Sequence, residues 1–214
     1  MAQIFPKWTN QVPRKILLGL IVTLTAIVLG IWYFFSPKYI EVGYAPTQPV
    51  PYSHKLHVGE LGLDCQYCHT NVFASKQANV PPTQTCMNCH NQIKPDSELL
   101  KPIRESWETG KSVEWIRVHN LPDYVYFNHA AHVNVGVACE SCHGRIDEME
   151  VVHQAKELSM SWCLDCHRAP EKYIRPVEEV TTMGYQVDDQ LVLGRELVAK
   201  NNVTPPQYCQ GCHY

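Results

Sequence analysis

Cys65-Gln66-Tyr67-Cys68-His69, Cys86-Met87-Asn88-Cys89-His90, Cys139-Glu140-Ser141-Cys142-His143, Cys163-Leu164-Asp165-Cys166-His167 and Cys209-Gln210-Gly211-Cys212-His213 are five copies of one pattern, Cys-x-x-Cys-His. Together they use all ten cysteines. The spacing is that of c-type haem attachment, in which two thiols add to the two vinyl groups of a porphyrin. The histidine that follows at once is then held beneath the ring, within reach of its iron. The reading is five covalent haems c, with His69, His90, His143, His167 and His213 as proximal ligands.

Other uses of paired cysteines fit less well. A structural zinc site closes with four ligands and does not call for a histidine after every pair. A redox dithiol occurs once, near a βαβ pattern, and disulfide frameworks vary their spacings.

Haem is attached outside the cytoplasm, so most of this chain must be exported. Ile16–Phe35 carries no charge over twenty residues, about the length that crosses a bilayer core. Trp32 and Tyr33 fall where an interfacial aromatic belt would lie, and Lys7, Arg14 and Lys15 precede the span with no acidic residue among them. The positive-inside rule puts the N-terminus in the cytoplasm and everything after Phe35 in the periplasm. A cleaved signal peptide would have a shorter apolar stretch and an Ala-x-Ala-like site. Ser36-Pro37-Lys38-Tyr39 follows instead, so the segment reads as a retained single-pass anchor of the inner membrane.

The 179 residues beyond Phe35 leave about 36 per motif, thin for an ordinary apolar core. The expected fold is mainly irregular with short α-helices, haem planes filling the interior, and little sheet. The net charge of −3 becomes more negative with about two ionised propionates per haem, and no basic patch suits nucleic acid.

The chain contains a duplication. Tyr52-Ser53-His54-Lys55-Leu56-His57-Val58 matches Phe127-Asn128-His129-Ala130-Ala131-His132-Val133, and each runs through a glycine, Gly62 or Gly136, into Cys65 or Cys139. Tandem modules at 52–92 and 126–168 follow from this. The expected order is residues 1–15 as a cytoplasmic N-terminus, 16–35 as the anchor, 36–51 as an extended Pro-rich linker, and 52–214 as the pentahaem domain. Its last haem is at 209–213. Short helices are expected at Ser97–Glu108, with Pro102 as a mild objection, and at Asp188–Lys200.

Six histidines lie outside the motifs: His54, His57, His119, His129, His132 and His153. Five irons need at most five further ligands. The four in the duplicated His-x-x-His elements, together with His119, are the expected distal ligands, one imidazole of each element serving one haem and its neighbour another. His153 and Met149 are alternatives for a remaining iron, a thioether being a haem ligand that raises potential. No catalytic residue is expected.

Three segments carry a resemblance: Ser53–Gly62 (SHKLHVGELG), Arg117–Asp123 (RVHNLPD) and Leu158–Arg168 (LSMSWCLDCHR). With the anchor and five motifs, the chain resembles the pentahaem cytochrome subunit of bacterial alternative complex III, itself similar to c7/c3-type multihaem cytochromes. The resemblance implies a non-catalytic electron-transfer subunit of a membrane quinol oxidoreductase. It implies as partners an integral membrane quinol-oxidising subunit, an iron–sulfur subunit and a monohaem cytochrome c, with a terminal oxidase or soluble carrier as acceptor. Two competing functions remain. A membrane-anchored quinol dehydrogenase feeding a periplasmic reductase would hold a haem against the bilayer, yet 29 residues separate the anchor from Cys65. A multihaem nitrite or hydroxylamine reductase would need an open iron, often marked by a lysine in place of the motif histidine, and all five motifs keep histidine.

Overall fold

The computed structural model describes residues 4–213. The first three residues of the expected cytoplasmic segment and the last residue of the 52–214 domain lie outside them. The chain divides into two compact units after Glu41.

In the first unit a 3-10 turn, Lys7–Gln11, runs into one α-helix, Val12–Phe34. Pro13 stands in its first turn, where a missing N–H costs nothing. The helix begins four residues before the apolar stretch, because Arg14 and Lys15 are good helix formers. Its apolar side chains are exposed all round, the pattern of a helix that meets lipid or other protein on every side. At a rise of 1.5 Å per residue it is about 35 Å long, and it is long and apolar enough to cross a membrane. The linker expected to be extended instead opens on a helical turn, Pro37–Ile40. Pro37 pre-sets the first helical φ there, and Tyr39 packs on Tyr33 and Phe34.

The described part of the second unit, residues 42–213, is short helices and loops. Among the described residues there are no strands, only two isolated bridges, Val125 with His213 and Val137 with Ile174. The helix expected at Ser97–Glu108 forms as a 3-10 turn, Glu98–Leu100, continued by Lys101–Thr109. Pro102 falls in the first turn of that α-helix, so it is no obstacle, and Gly110 ends it at φ 72°. Asp189 caps the Gln190–Lys200 helix, accepting from the N–H groups of Leu191 and Val192 at 3.0 Å each. Gly194 lets that helix lie directly on the Glu171 carbonyl.

Apolar burial is slight for a unit of this length. Val72, Val133 and Val180 form one small cluster with Phe73, Ala78 and Cys139. The second module is bound instead by the tail that follows it. Gly136, at φ 97°, comes against the Arg175 carbonyl where a side chain could not fit, and Arg175 N–H donates to Gly136 O at 2.9 Å. The buried Arg175 guanidinium meets Glu140 at 2.5 Å, donates to the Thr182 carbonyl at 3.0 Å and lies over Tyr185.

Candidate haem sites

Four of the motifs sit on helical turns: Cys65–Cys68, Thr83–His90, Cys139–His143 and Met160–Arg168. The fifth is on the 3-10 turn Cys209–Gly211. On a helix, positions i, i+3 and i+4 share a face, so both thiols and the histidine of a motif address one side. Two turns are capped by residues that the motif itself does not reveal. Asp64 accepts from Gln66 N–H at 2.7 Å and Ser159 from Trp162 N–H at 3.3 Å. None of the ten cysteines is in a disulfide. Burial, then the neighbouring cysteines, pushes Cys142 up to about 12 and Cys166 to about 11.

The histidines share a second feature. Nδ1 of His69 points at Asn79 O (2.6 Å), His90 at Ile93 O (2.9 Å), His167 at Pro206 O (2.7 Å), His57 at Ser53 O (2.8 Å), His129 at Lys76 O (3.0 Å) and His132 at Asn128 O (2.8 Å). A carbonyl only accepts, so each Nδ1 carries the proton and each Nε2 bears a lone pair. A metal-binding imidazole is held in this way, its other ring nitrogen donating to a backbone carbonyl. The Ser53/His57 and Asn128/His132 contacts repeat the same i−4 spacing and could have been found in sequence. Lys76, Asn79 and Pro206 could not, since any residue supplies a carbonyl.

The rings oppose one another in pairs. His57 and His90 have centroids 6.2 Å apart, His132 and His167 also 6.2 Å, and His129 and His143 6.5 Å. A metal–nitrogen bond of about 2.0 Å plus roughly 1.2 Å from nitrogen to ring centre puts two trans imidazoles about 6.4 Å apart. The observed gaps are those one iron would span. Among the described residues no three His, Cys, Asp or Glu side chains converge into an ion cage. Opposed pairs beside two thiols are what a flat macrocycle requires.

The other candidates are placed less simply. His54 lies in the electrostatic field of His69 and is held down to about 4 by burial and by that neighbour. Its Nδ1 is buried without a partner, as is Nε2 of His119. His119 meets His143 edge-on at 4.3 Å, too close for the two to face each other across one iron. His143 is held down to about 3 by burial, then by His119 and His129. These imidazoles are therefore neutral, the form that binds metal. Met149 is buried and shares with His153 a cavity of about 450 Å³ beside Gly144 and Arg145. Tyr124 is the ring beside His213, at 5.7 Å. The donor set fits c-type haem: paired thiols on one face, neutral imidazoles with oriented Nε2 atoms, and buried ring nitrogens without partners.

A family model described as cytochrome c7 and related cytochrome c matches residues 50–106 and 125–214. The chain belongs to this family. As a c7-related cytochrome it carries covalent haem c. It is also 36% identical over 126 residues to "Menaquinone reductase, multiheme cytochrome c subunit" of Nitratidesulfovibrio vulgaris (strain Hildenborough), covering 58% of this chain and 56% of that relative. The c7-related chain thus spans about half the length of the curated relative it matches.

Proposed function

We propose that this c7-related cytochrome is the periplasmic electron-transfer subunit of a membrane quinol-oxidising complex of the alternative complex III kind, with five covalent haems c. In this reading the ten motif cysteines hold the porphyrins and the five motif histidines lie on the proximal side. His57 stands opposite His90, His129 opposite His143 and His132 opposite His167. The duplication adds His54 opposite His69. His119, His153 and Met149 are the candidates for the fifth iron. A bound haem supplies a reversible one-electron carrier. The chain's own residues keep the imidazoles neutral, fix their tautomers through backbone carbonyls and limit water around the rings. A side-chain ligand on each face of every haem would leave no open position for a substrate, and on this reading the chain itself is not catalytic.

The single observation that carries this reading is the set of three imidazole pairs at 6.2–6.5 Å. The apolar helix Val12–Phe34 supports anchoring in the inner membrane with the N-terminus inside. The partners would be an integral membrane quinol subunit, an iron–sulfur subunit and a monohaem cytochrome, with an oxidase or soluble carrier beyond. The relative's name, a menaquinone reductase subunit, favours a second reading in which electrons run inward to quinone.

Purification in mild detergent tests both. Pyridine haemochrome and intact mass should give five haems per chain. Near-infrared magnetic dichroism should give mostly bis-imidazole iron, and the co-purifying subunits should include a quinone-reactive membrane protein. A chain that binds fewer porphyrins, or purifies alone from intact membranes, sinks the reading. Reduction of the haems by added quinol in the purified complex separates it from the inward-running alternative.

A further inference from the structure

His119 belongs to neither His-x-x-His element, and the backbone around it, residues 110–120, forms no helix. Its Nε2 is buried without a partner, and its ring lies edge-on to His143 at 4.3 Å. Arg117 donates to the Asn120 side chain at 3.1 Å, closing a small loop around Val118 and His119. A loop of this kind does not hold an imidazole still by itself, because its backbone keeps the conformational freedom that a helix removes.

The hold comes from a residue far away in the chain. The side-chain amide of Gln48 donates to the Ile116 carbonyl at 2.8 Å and accepts from the Ile116 N–H at 2.9 Å. The two bonds engage both backbone groups of one residue, as a neighbouring antiparallel strand does. An amide carries the donor and the acceptor side by side, whereas a carboxylate only accepts and an ammonium only donates. His119 follows Ile116 by three residues, at most about 10 Å of chain, so fixing the first confines the second.

Gln48 can act as a platform because its own segment is pinned. Pro46, Pro49 and Pro51 fix φ at three nearby positions. On one side, Gly43 N–H donates to Gln154 O at 2.8 Å and Gln154 N–H to Tyr44 O at 3.0 Å. On the other, Val50 is buried and its carbonyl accepts from Tyr52 N–H at 2.8 Å. We propose that Gln48 is a positioning residue for a haem ligand, its amide holding the loop that presents His119 to an iron. The inference rests on the reading in which His119 takes the remaining iron, and goes beyond it by naming what fixes that ligand. A stretch that reads in the sequence as a spacer thereby forms part of a haem site.

The experiment uses the full chain in mild detergent, reduced with dithionite and mixed with carbon monoxide. Carbon monoxide takes an iron only after its distal ligand has left, so its binding rate reads the hold on that ligand. His119→Ala should take up one more equivalent per chain than the unaltered protein, with the covalent haem count unchanged. Gln48→Met, similar in length but unable to make either bond, should open that iron about tenfold faster than the unaltered chain, the combined effect of two ordinary hydrogen bonds. Gln48→Glu keeps only the acceptor at neutral pH and should fall between. The double variant Gln48→Met/His119→Ala should bind one additional equivalent, and a second would show that Gln48 acts on some other ligand, overturning the proposal. If His119→Ala takes up no additional carbon monoxide, His119 is not a ligand and both the ligand reading and the proposal fail. If His119→Ala opens an iron but Gln48→Met binds as slowly as the unaltered chain, the ligand reading stands and the proposal fails. Should Gln48→Met lose porphyrin, Gln48→Glu carries the comparison, and a rate equal to the unaltered chain's overturns the proposal there too.

Discussion

The two duplicated segments, 52–92 and 126–168, reach one geometry from different surroundings. In the first, Tyr52 stacks on His57 at 4.4 Å and meets His54 edge-on at 4.8 Å. In the second, Phe127 stacks on His132 and meets His129 edge-on, both at 4.8 Å. Both segments set the second imidazole of the His-x-x-His turn 6.2 Å from the histidine of the second motif that follows, His90 or His167. Yet the turn is π-helical in the first, Lys55–Glu60, and α-helical in the second, His129–Val133. The second is also enclosed by residues 170–184, with Arg175 at the centre, while His54 of the first has a ring nitrogen without a partner. The ligand geometry is thus set locally, by an aromatic ring two positions before the first histidine and a carbonyl four before the second. The enclosure is set by distant chain.

The largest expected effect comes from removing a haem. Cys163→Ala/Cys166→Ala should lower both intact mass and haemochrome count by one porphyrin. It should also destabilise the second module and the tail that rests on His167. A variant that kept five porphyrins would contradict the motif reading. Next, His57→Ala and His132→Ala should each convert one iron to a high-spin signal in electron paramagnetic resonance. Equal effects would support equivalence of the modules; a silent variant would break it.

Arg175→Ala belongs to the enclosure and has no counterpart in the first module. It leaves Glu140 partly buried without its cation, a loss of about 3 kcal/mol, read as a lower urea midpoint. The paired glycines sharpen the contrast further. Gly62, at φ 70°, faces open space, whereas Gly136 meets the Arg175 carbonyl. Gly62→Ala should cost about 1 kcal/mol from the left-handed backbone alone, and Gly136→Ala about 3 kcal/mol or more once the close contact is added. Equal costs would remove Gly136 from the packing argument.

Acid gives the gentlest probe. His54 and His143 are depressed to about 4 and about 3, below the usual 6.5 of an unfolded histidine. The unfolded chain therefore binds protons first as pH falls. The corresponding stability is fully present above about pH 6.5 and is lost progressively as pH falls below it. Urea midpoints at pH 7, 5.5 and 4 should fall in that order.

Much of the site was legible because covalent attachment needs a fixed spacing. Cys-x-x-Cys-His puts three reactive groups on one helical face, and nothing else in the chain imitates it. The His-x-x-His duplication and the apolar run to Phe35 were legible for similar reasons of local periodicity. The helix at Lys101–Thr109 could be anticipated from Gly110, and that at Gln190–Lys200 from its cap near Asp188. The turn at Pro37–Ile40 could not, since proline is as much at home in an extended linker as in the first turn of a helix.

The sequence by itself determined where the five Cys-x-x-Cys-His patterns and the two His-x-x-His elements fall, that the apolar run to Phe35 is long enough for a membrane-crossing helix, and that the region beyond it would be short helices joined by loops. These follow from interactions between residues a few positions apart. Only the tertiary structure decided which imidazoles oppose one another and that Arg175 anchors the tail on the second module. Those contacts join residues tens of positions apart through backbone carbonyls and tight approaches, which no side-chain pattern encodes.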